Sequence, residues 1–497
     1  MHLTLPHRAI PLLIGTMLTG CATGPAFQAP DVAKGVSDRY VSGNAVSKTH
    51  DATTHDNRQA GVAQQVDYGQ SLPAQWWTLF QSPELDQMIR TALKNNPGLQ
   101  AAQHTLEAAQ DNLRATTGSL SYPQVNGQLG AQRQRGQMAG ATPSVYNLYN
   151  AGVNVSYSID LFGANKHQLE SLAATVDYQR FQHLAASNML VSNVVTTAIR
   201  EATLRDQLQA AKTALDAGRN VLQIQEKQLQ LGAIPLTAVL NQRNAVNQLE
   251  AQIAPLEKSA GQSRHALNTL LGLPASDTSV PAITLANVKL PERLPVALPS
   301  ALARQRPDIQ ASEALLHQAS ANLGLATANL YPQLNLTGSF SYSRVETGAG
   351  GAGSTLWNIG AGLTQPLFNG GALRARKDAA QANYDAAEAQ YRSVVLSAFQ
   401  NVADNLRALE SDADVLKAQA DNAAQTRQTR DIVRKQHAAG AVSLTSVLSA
   451  EQAYAQSQLN LANAQGARYA DTAALFASLG GGWWDTAGAT GNGAKHQ

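Results

Sequence analysis

A single cysteine, Cys21, stands in the 497-residue chain, so no disulfide can form within it. Charge is scarce as well. Asp, Glu, Lys and Arg make up 14% of residues, aromatics 5%, and the formal net charge is +2. That balance makes no general case for a nucleic-acid partner or an acidic substrate. There is no run of about 20 apolar residues, which excludes a transmembrane helix and leaves a barrel or an anchor as the routes into a membrane. G-x-S-x-G, P-loop, H-E-x-x-H and Cys–His metal patterns are missing too, so the expectation is no catalytic residue, no metal and no soluble cofactor. His50-Asp51 and His55-Asp56 imitate ligand pairs, but they sit in a polar stretch without hydrophobic periodicity and read as solvated loop. Ala, Gln, Asn, Leu and Ser are plentiful, a palette that suits long helices packed closely through small residues.

The cysteine has an informative position. Residues 9–18 form a short apolar core behind His7 and Arg8, followed by Leu18-Thr19-Gly20-Cys21. The pattern resembles a bacterial lipoprotein signal over residues 1–20, cleaved before a cysteine that then carries S-diacylglycerol and an N-palmitoyl chain. An ordinary signal peptide with a chance cysteine is the alternative. Ala22 and Thr23 lack the Asp that favours inner-membrane retention in such lipoproteins, which points to the outer membrane. The lipid would supply the anchor that the composition otherwise lacks.

The rest of the chain is written twice. Asn96-Pro97-Gly98-Leu99-Gln100-Ala101 recurs as Arg306-Pro307-Asp308-Ile309-Gln310-Ala311, and Tyr122-Pro123-Gln124-Val125-Asn126 as Tyr331-Pro332-Gln333-Leu334-Asn335. Asp160-Leu161-Phe162-Gly163 matches Pro366-Leu367-Phe368-Asn369, and the stretch 231–240 matches 439–448. Four matches in one order make a tandem duplication. The domain plan is an N-terminal segment 21–82, a first repeat 83–274, a Pro-rich joint 275–300, a second repeat 301–480 and a flexible tail 481–497. Each repeat reads as helix, two strands, a long helix, a turn and a return helix. The long helices are 165–230 and 371–438, without a proline in either, and the return helices are 236–272 and 444–479. Leu204, Leu208, Ala211, Leu215, Gly218 and Leu222 hold the alternating spacing of a coiled-coil seam.

Strands are expected at about 122–134, 145–162, 332–343 and 356–368. Ala151, Val153, Val155, Tyr157 and Ile159 alternate with Gly152, Asn154, Ser156, Ser158 and Asp160, a strict period of two. Trp357, Ile359, Ala361 and Leu363 alternate with small and polar residues in the same way. Tyr122, Phe162, Tyr331 and Phe368 stand at one end, with Tyr146, Tyr149 and Trp357 nearer the other, as in an interfacial aromatic girdle. Two hairpins of a soluble sandwich would alternate similarly. The strand-joining segments are 135–144 and 344–355, and Gly348-Ala349-Gly350-Gly351-Ala352-Gly353 reads as a flexible surface loop. A membrane sheet cannot leave edges in lipid, and four strands are too few to close. Two copies would give eight strands around a filled lumen, and three would give twelve, so a conducting barrel favours three.

These duplicated Pro-x-(Leu/Ile)-Gln-Ala helices, Tyr-Pro-Gln-(Val/Leu)-Asn strand openings and Gly-Ala-(Ile/Val)-x-Leu-Thr-x-Val-Leu turns resemble the TolC-type outer-membrane efflux proteins. Trp76-Trp77-x-x-Phe80 and the lipobox resemble the NodT branch. The resemblance implies an α+β membrane protein: a homotrimer with a twelve-stranded outer-membrane barrel, four strands per chain, continuing into a long periplasmic helical barrel. A mixed girdle would gather residues 21–82, 275–300 and the tail. The resemblance also implies a passive duct for drugs and other toxic small compounds, aromatic ones among them, docked on a periplasmic adaptor (membrane fusion) protein and an inner-membrane pump of RND or MFS type. Asn154, Ser156, Ser158 and Asp160 would line the lumen. Where relatives carry an acidic ring after the second turn, this sequence has Ser446 and Ser449, with Asn241 at the equivalent place in the first half. The expected gate is therefore polar and apolar, formed by Leu444, Thr445, Ser446, Ser449 and Asn241, with Glu451 the nearest acid. A type I-like secretion duct and a coiled-coil surface lipoprotein or adhesin are the competing readings.

Overall fold

A computed structural model of the chain describes residues 27–30, 40, 46–54, 57–136, 144–347 and 350–483. Cys21, His55 and Asp56 lie outside the described residues, as does the tail beyond residue 483. The elements in order are β1 (Gln65–Tyr68), α1 (Pro83–Asn95), α2 (Pro97–Ser121), β2 (Gln124–Gly136), β3 (Ser144–Ile159), α3 (Ala164–Gln230), α4 (Leu236–Leu270), β4 (Arg293–Val296), α5 (Pro299–Gln305), α6 (Pro307–Ala328), β5 (Gln333–Thr347), β6 (Gly350–Thr364), α7 (Ala372–Ala438) and α8 (Leu444–Ser478). The order helix, strand, strand, long helix, return helix occurs twice.

The described chain divides into two units. The first comprises residues 27–30, 104–180 and 311–392, and its centre is one antiparallel sheet in the order β2-β3-β5-β6. Strands run 13 to 16 residues, longer than the alternation alone marks. One expectation is corrected here. The glycine-rich stretch read as a surface loop is strand from Gly350 onward, with Thr347 paired to Gly350, Glu346 to Gly351 and Arg344 to Gly353. Glycines carry no side chains to alternate, but their backbones still complete a ladder that starts from better-marked pairs such as Phe340 with Trp357. The Leu-Phe pairs Leu161-Phe162 and Leu367-Phe368 fall just past the strands.

The second unit comprises residues 40–103, 181–310 and 393–483. Its core joins α3, α4 and α7, through residues such as Val194, Leu267 and Leu406, to three further parts of the sequence. Trp76, Phe80, Leu85 and Ile89 come from the N-terminal segment and α1, Leu285, Val288, Leu294 and Val296 from the inter-repeat joint, and Tyr469, Leu475 and Phe476 from α8. The Trp76 and Phe80 rings lie 5.6 Å and 6.2 Å from Phe476, so the Trp-Trp-x-x-Phe motif is core here. β1 and β4 pair in parallel and join the N-terminal segment to the joint. Arg468 is fully buried and donates from Nη2 to Thr49 Oγ1 at 2.9 Å and to the Val62 carbonyl at 3.0 Å, fastening the same segment to α8.

The duplication extends to how the repeats are tied off. Asn96, before Pro97, donates its side-chain amide to the Leu270 carbonyl at the end of α4. Arg306, before Pro307, donates to the Ser478 carbonyl at the end of α8, at 2.8 Å. Both supply a donor to a helix C-terminus whose last carbonyls have no partner within the helix. The residue types differ while the role is kept.

Candidate functional site: the sheet faces and the helix turns

The register of the four strands sorts the side chains. Asn154 pairs with Asn126 on one side and Ser339 on the other, and Ser339 pairs with Asn358. Ser156 pairs with Gln124 and Thr337, and Ser158 with Asn335. These rows lie on one face because side chains alternate along each strand. The intervening rows are apolar: Gly127, Val153, Phe340 and Trp357 form one, and Tyr157, Leu336 and Ala361 another. The apolar face is uncovered in the single chain, with Leu129 88%, Ile359 85% and Trp357 72% exposed. β2 and β6 each pair on one side only. At the helix end of the sheet Tyr122 and Phe368 are exposed, and Phe162 stacks on Tyr331 at 4.9 Å. Asp160 falls one residue beyond β3, where its carboxylate accepts the Lys166 backbone N–H at 2.9 Å near the start of α3.

The turns between long and return helices are built alike. Gly232 and Gly440 adopt φ of 69° and 74°, the left-handed conformation a glycine enters without a Cβ penalty. Ala233 N–H reaches the Gln228 carbonyl and Ala441 N–H the Gln436 carbonyl, both at 2.8 Å, the Schellman pattern of a helix end. The return helix then starts at Leu236 or Leu444. Ser443 caps the second by accepting the Ser446 N–H, and Pro235 holds that place in the first. Asn241, Thr445, Ser446 and Ser449 are exposed around these turns, and Leu444 is half-buried. Glu451 is not a free acid, because Arg434 on α7 is paired with it.

Several features were not anticipated. Arg430 lies 4.1 Å over the Tyr454 ring and holds Asp431. Between α3 and α4, Lys212 pairs with Glu257, Arg219 with Glu250 and Glu226 with Arg243, at 2.9, 2.6 and 2.8 Å. These positions repeat every seven residues and lie at equal distance from Ile234-Pro235 in the turn, a spacing already present in the sequence. In the first unit, Glu170 joins His167 at 3.1 Å to His317 at 2.9 Å, and Phe27 stacks on His317 at 4.4 Å. His50, expected in solvated loop, is exposed and reaches Asp414. No group of three potential metal ligands occurs among the described residues.

Comparison with known proteins gives a consistent result. A family model described as outer membrane efflux protein matches twice, over residues 88–273 and 298–481. The chain is 32% identical to the pyoverdine export outer membrane protein OpmQ of Pseudomonas putida, over 83% of this chain and 89% of that protein. It is 30% identical to the cation efflux system protein CusC of Escherichia coli, over 96% and 99%. Among solved structures, the outer-membrane channel OprN superposes with a TM-score of 0.79 at 24% identity, covering 93% of this chain and 100% of that one. CusC superposes with a TM-score of 0.73 at 26% identity over the same shares.

Proposed function

This chain belongs to the outer membrane efflux protein family, and from that premise we propose that three copies of it close one passive export duct. The protein is an outer-membrane channel of an efflux system. The observation that carries the trimer is the sheet. It has two unpaired edges and an uncovered apolar face, and unpaired backbone groups in lipid cost several kcal/mol each. Pairing β2 of one copy with β6 of the next removes both edges and turns the apolar face outward to lipid. Twelve strands then enclose an aqueous lumen, where eight would be filled by side chains.

In this reading the rows through Asn154, Ser156 and Ser158 line the lumen, with Asp160 at its helix-side rim. Asn241, Leu444, Thr445, Ser446 and Ser449 form a gate without free carboxylates at the turns, consistent with the pairing of Glu451 to Arg434. Cys21 carries the lipid anchor. The turns dock on a periplasmic adaptor, and an inner-membrane pump of RND or MFS type supplies the energy. The cargo is a small toxic compound, aromatic ones included, and the relatives named for pyoverdine export and cation efflux support an export role without fixing that cargo.

Mature protein extracted in detergent and run unheated should migrate as a trimer, collapse to monomer on heating, and conduct ions in planar bilayers. Cysteines placed at 446 and 449 should cross-link and lower that conductance. A soluble monomer would sink the duct reading, and thiols without effect would move the gate elsewhere.

A further inference from the structure

Four helices of the second unit border a half-open cavity that the duct reading does not use. Its volume is about 420 Å³, and α3, α4, α7 and α8 all contribute to its wall. Its accessible lining is mostly apolar, with Ala214, Val221, Leu249, Leu448 and Ala455, and Gln209, Thr213, Gln242, Gln452 and Gln458 stand between them. Gly218 on the same wall approaches so near α4 that an added Cβ would touch Leu249 at 3.4 Å.

Four charged side chains line the space, and three of them are already matched. Arg430 is held by Asp431 at 2.7 Å and covers the Tyr454 ring, and Arg434 is paired with Glu451. The fourth is Asp206 on α3. It has no hydrogen-bonding or ionic partner among the described residues, and burial raises its carboxyl above the ordinary range. A half-buried carboxylate without a countercharge is costly, and an incoming cation would relieve that cost.

We propose that this cavity binds a small organic amine, with the ammonium group against the Asp206 carboxylate and an aromatic or aliphatic body among the alanines and leucines. The volume lies in the range of small-molecule sites, and Asp206, the unmatched charge of the wall, can fix a ligand's orientation among its apolar and amide side chains. A hydrated inorganic cation is a poor fit, because Asp206 is the one carboxylate of the wall not already matched, Glu451 being held by Arg434. An anion meets only arginines that are already paired. The ligand touches both helix pairs, so binding ties α3 and α4 to α7 and α8 within one subunit. The site stands on side chains of one chain.

The test uses the full mature protein extracted in detergent, with 1-naphthylmethylamine as probe and 1-naphthalenemethanol as its neutral counterpart. Titration calorimetry should show the amine binding more tightly than the alcohol. Asp206→Asn should weaken the amine at least about tenfold, equivalent to about 1.4 kcal/mol, and leave the alcohol unchanged. Ala214→Phe should fill the cavity and abolish both. Circular dichroism and unheated migration check that each variant is folded, and the Asp206→Asn comparison stands by itself if Ala214→Phe is not. Equal affinities for amine and alcohol in the natural protein would overturn the proposal. So would an Asp206→Asn protein that keeps the amine affinity.

Discussion

At the scale of single residues, the most consequential charges lie where α7 and α8 pack together. Asp412 on α7 is pushed up to about 7, first by burial, then by the neighbouring Asp471 carboxyl on α8, while Arg468 pulls it down. Burial also lowers Arg468 to about 10. The sign for Asp412 follows from linkage. Its folded-state value lies above the ordinary 3.8, so the fold favours the protonated carboxyl. That contribution is present in full below the unfolded value and is lost as pH rises through about 7. The thermal unfolding midpoint of the extracted protein should therefore fall from about pH 5 to about pH 8. Asp412→Asn should flatten that slope and raise the midpoint at the alkaline end. An unchanged slope would mean that the two carboxyls do not share a proton in the folded state.

Ion pairs that are minor one by one acquire a purpose at the scale of helices. The rungs 212–257, 219–250 and 226–243 are exposed, and such pairs contribute about 0–1 kcal/mol each. Their value is in register, since a slip of α4 along α3 would set like charges opposite each other. One heptad further from the turn the pattern would bring Arg205 to Arg264. There Glu201, buried on α3, takes both, at 2.7 Å to Arg205 and 3.7 Å to Arg264. Glu201→Gln should cost about 3 kcal/mol in denaturant unfolding, the low end for breaking a buried pair, because Arg205 is partly solvated. Replacing Glu201 and Arg264 together with Gln and Leu should recover most of the loss. If the single substitution were neutral, Glu201 would not be the element that offsets the two arginines.

Legibility in the sequence follows the same scale. The duplication, the long helices and all four strands could be read because Pro97 and Pro307, Gly232 and Gly440, and alternations such as Val153–Ile159 each leave a local mark. The start of β6 could not be, because Gly350, Gly351 and Gly353 carry no pattern and gain their strand from pairing with β5. Serines stood where an acidic ring was expected, which was visible, but the pairing of Glu451 with Arg434 needed the antiparallel register of α7 and α8. The Asp206 cavity left no trace, since its walls come from positions about 200 residues apart whose facing sides only the packed helices define.

For the whole molecule, the two faces of β6 make opposite demands that one pair of substitutions separates. Asn358 and Ile359 are neighbours, so they point to opposite sides of the sheet. Asn358 continues the polar row of Asn154 and Ser339, while Ile359 stands 85% exposed in the single chain on the apolar face. In a soluble protein, lysine at so exposed a position would cost almost nothing. In a lipid-facing barrel it should cost about 2–4 kcal/mol near the bilayer midplane. Ile359→Lys should therefore lower the yield of heat-sensitive trimer on refolding into lipid, and Asn358→Lys should leave it intact. Asn358→Lys should instead shift the open channel toward anions, because three added cations then ring the lumen. The reverse outcome, Ile359→Lys tolerated and Asn358→Lys disruptive, would turn the barrel inside out and refute the assignment of its faces.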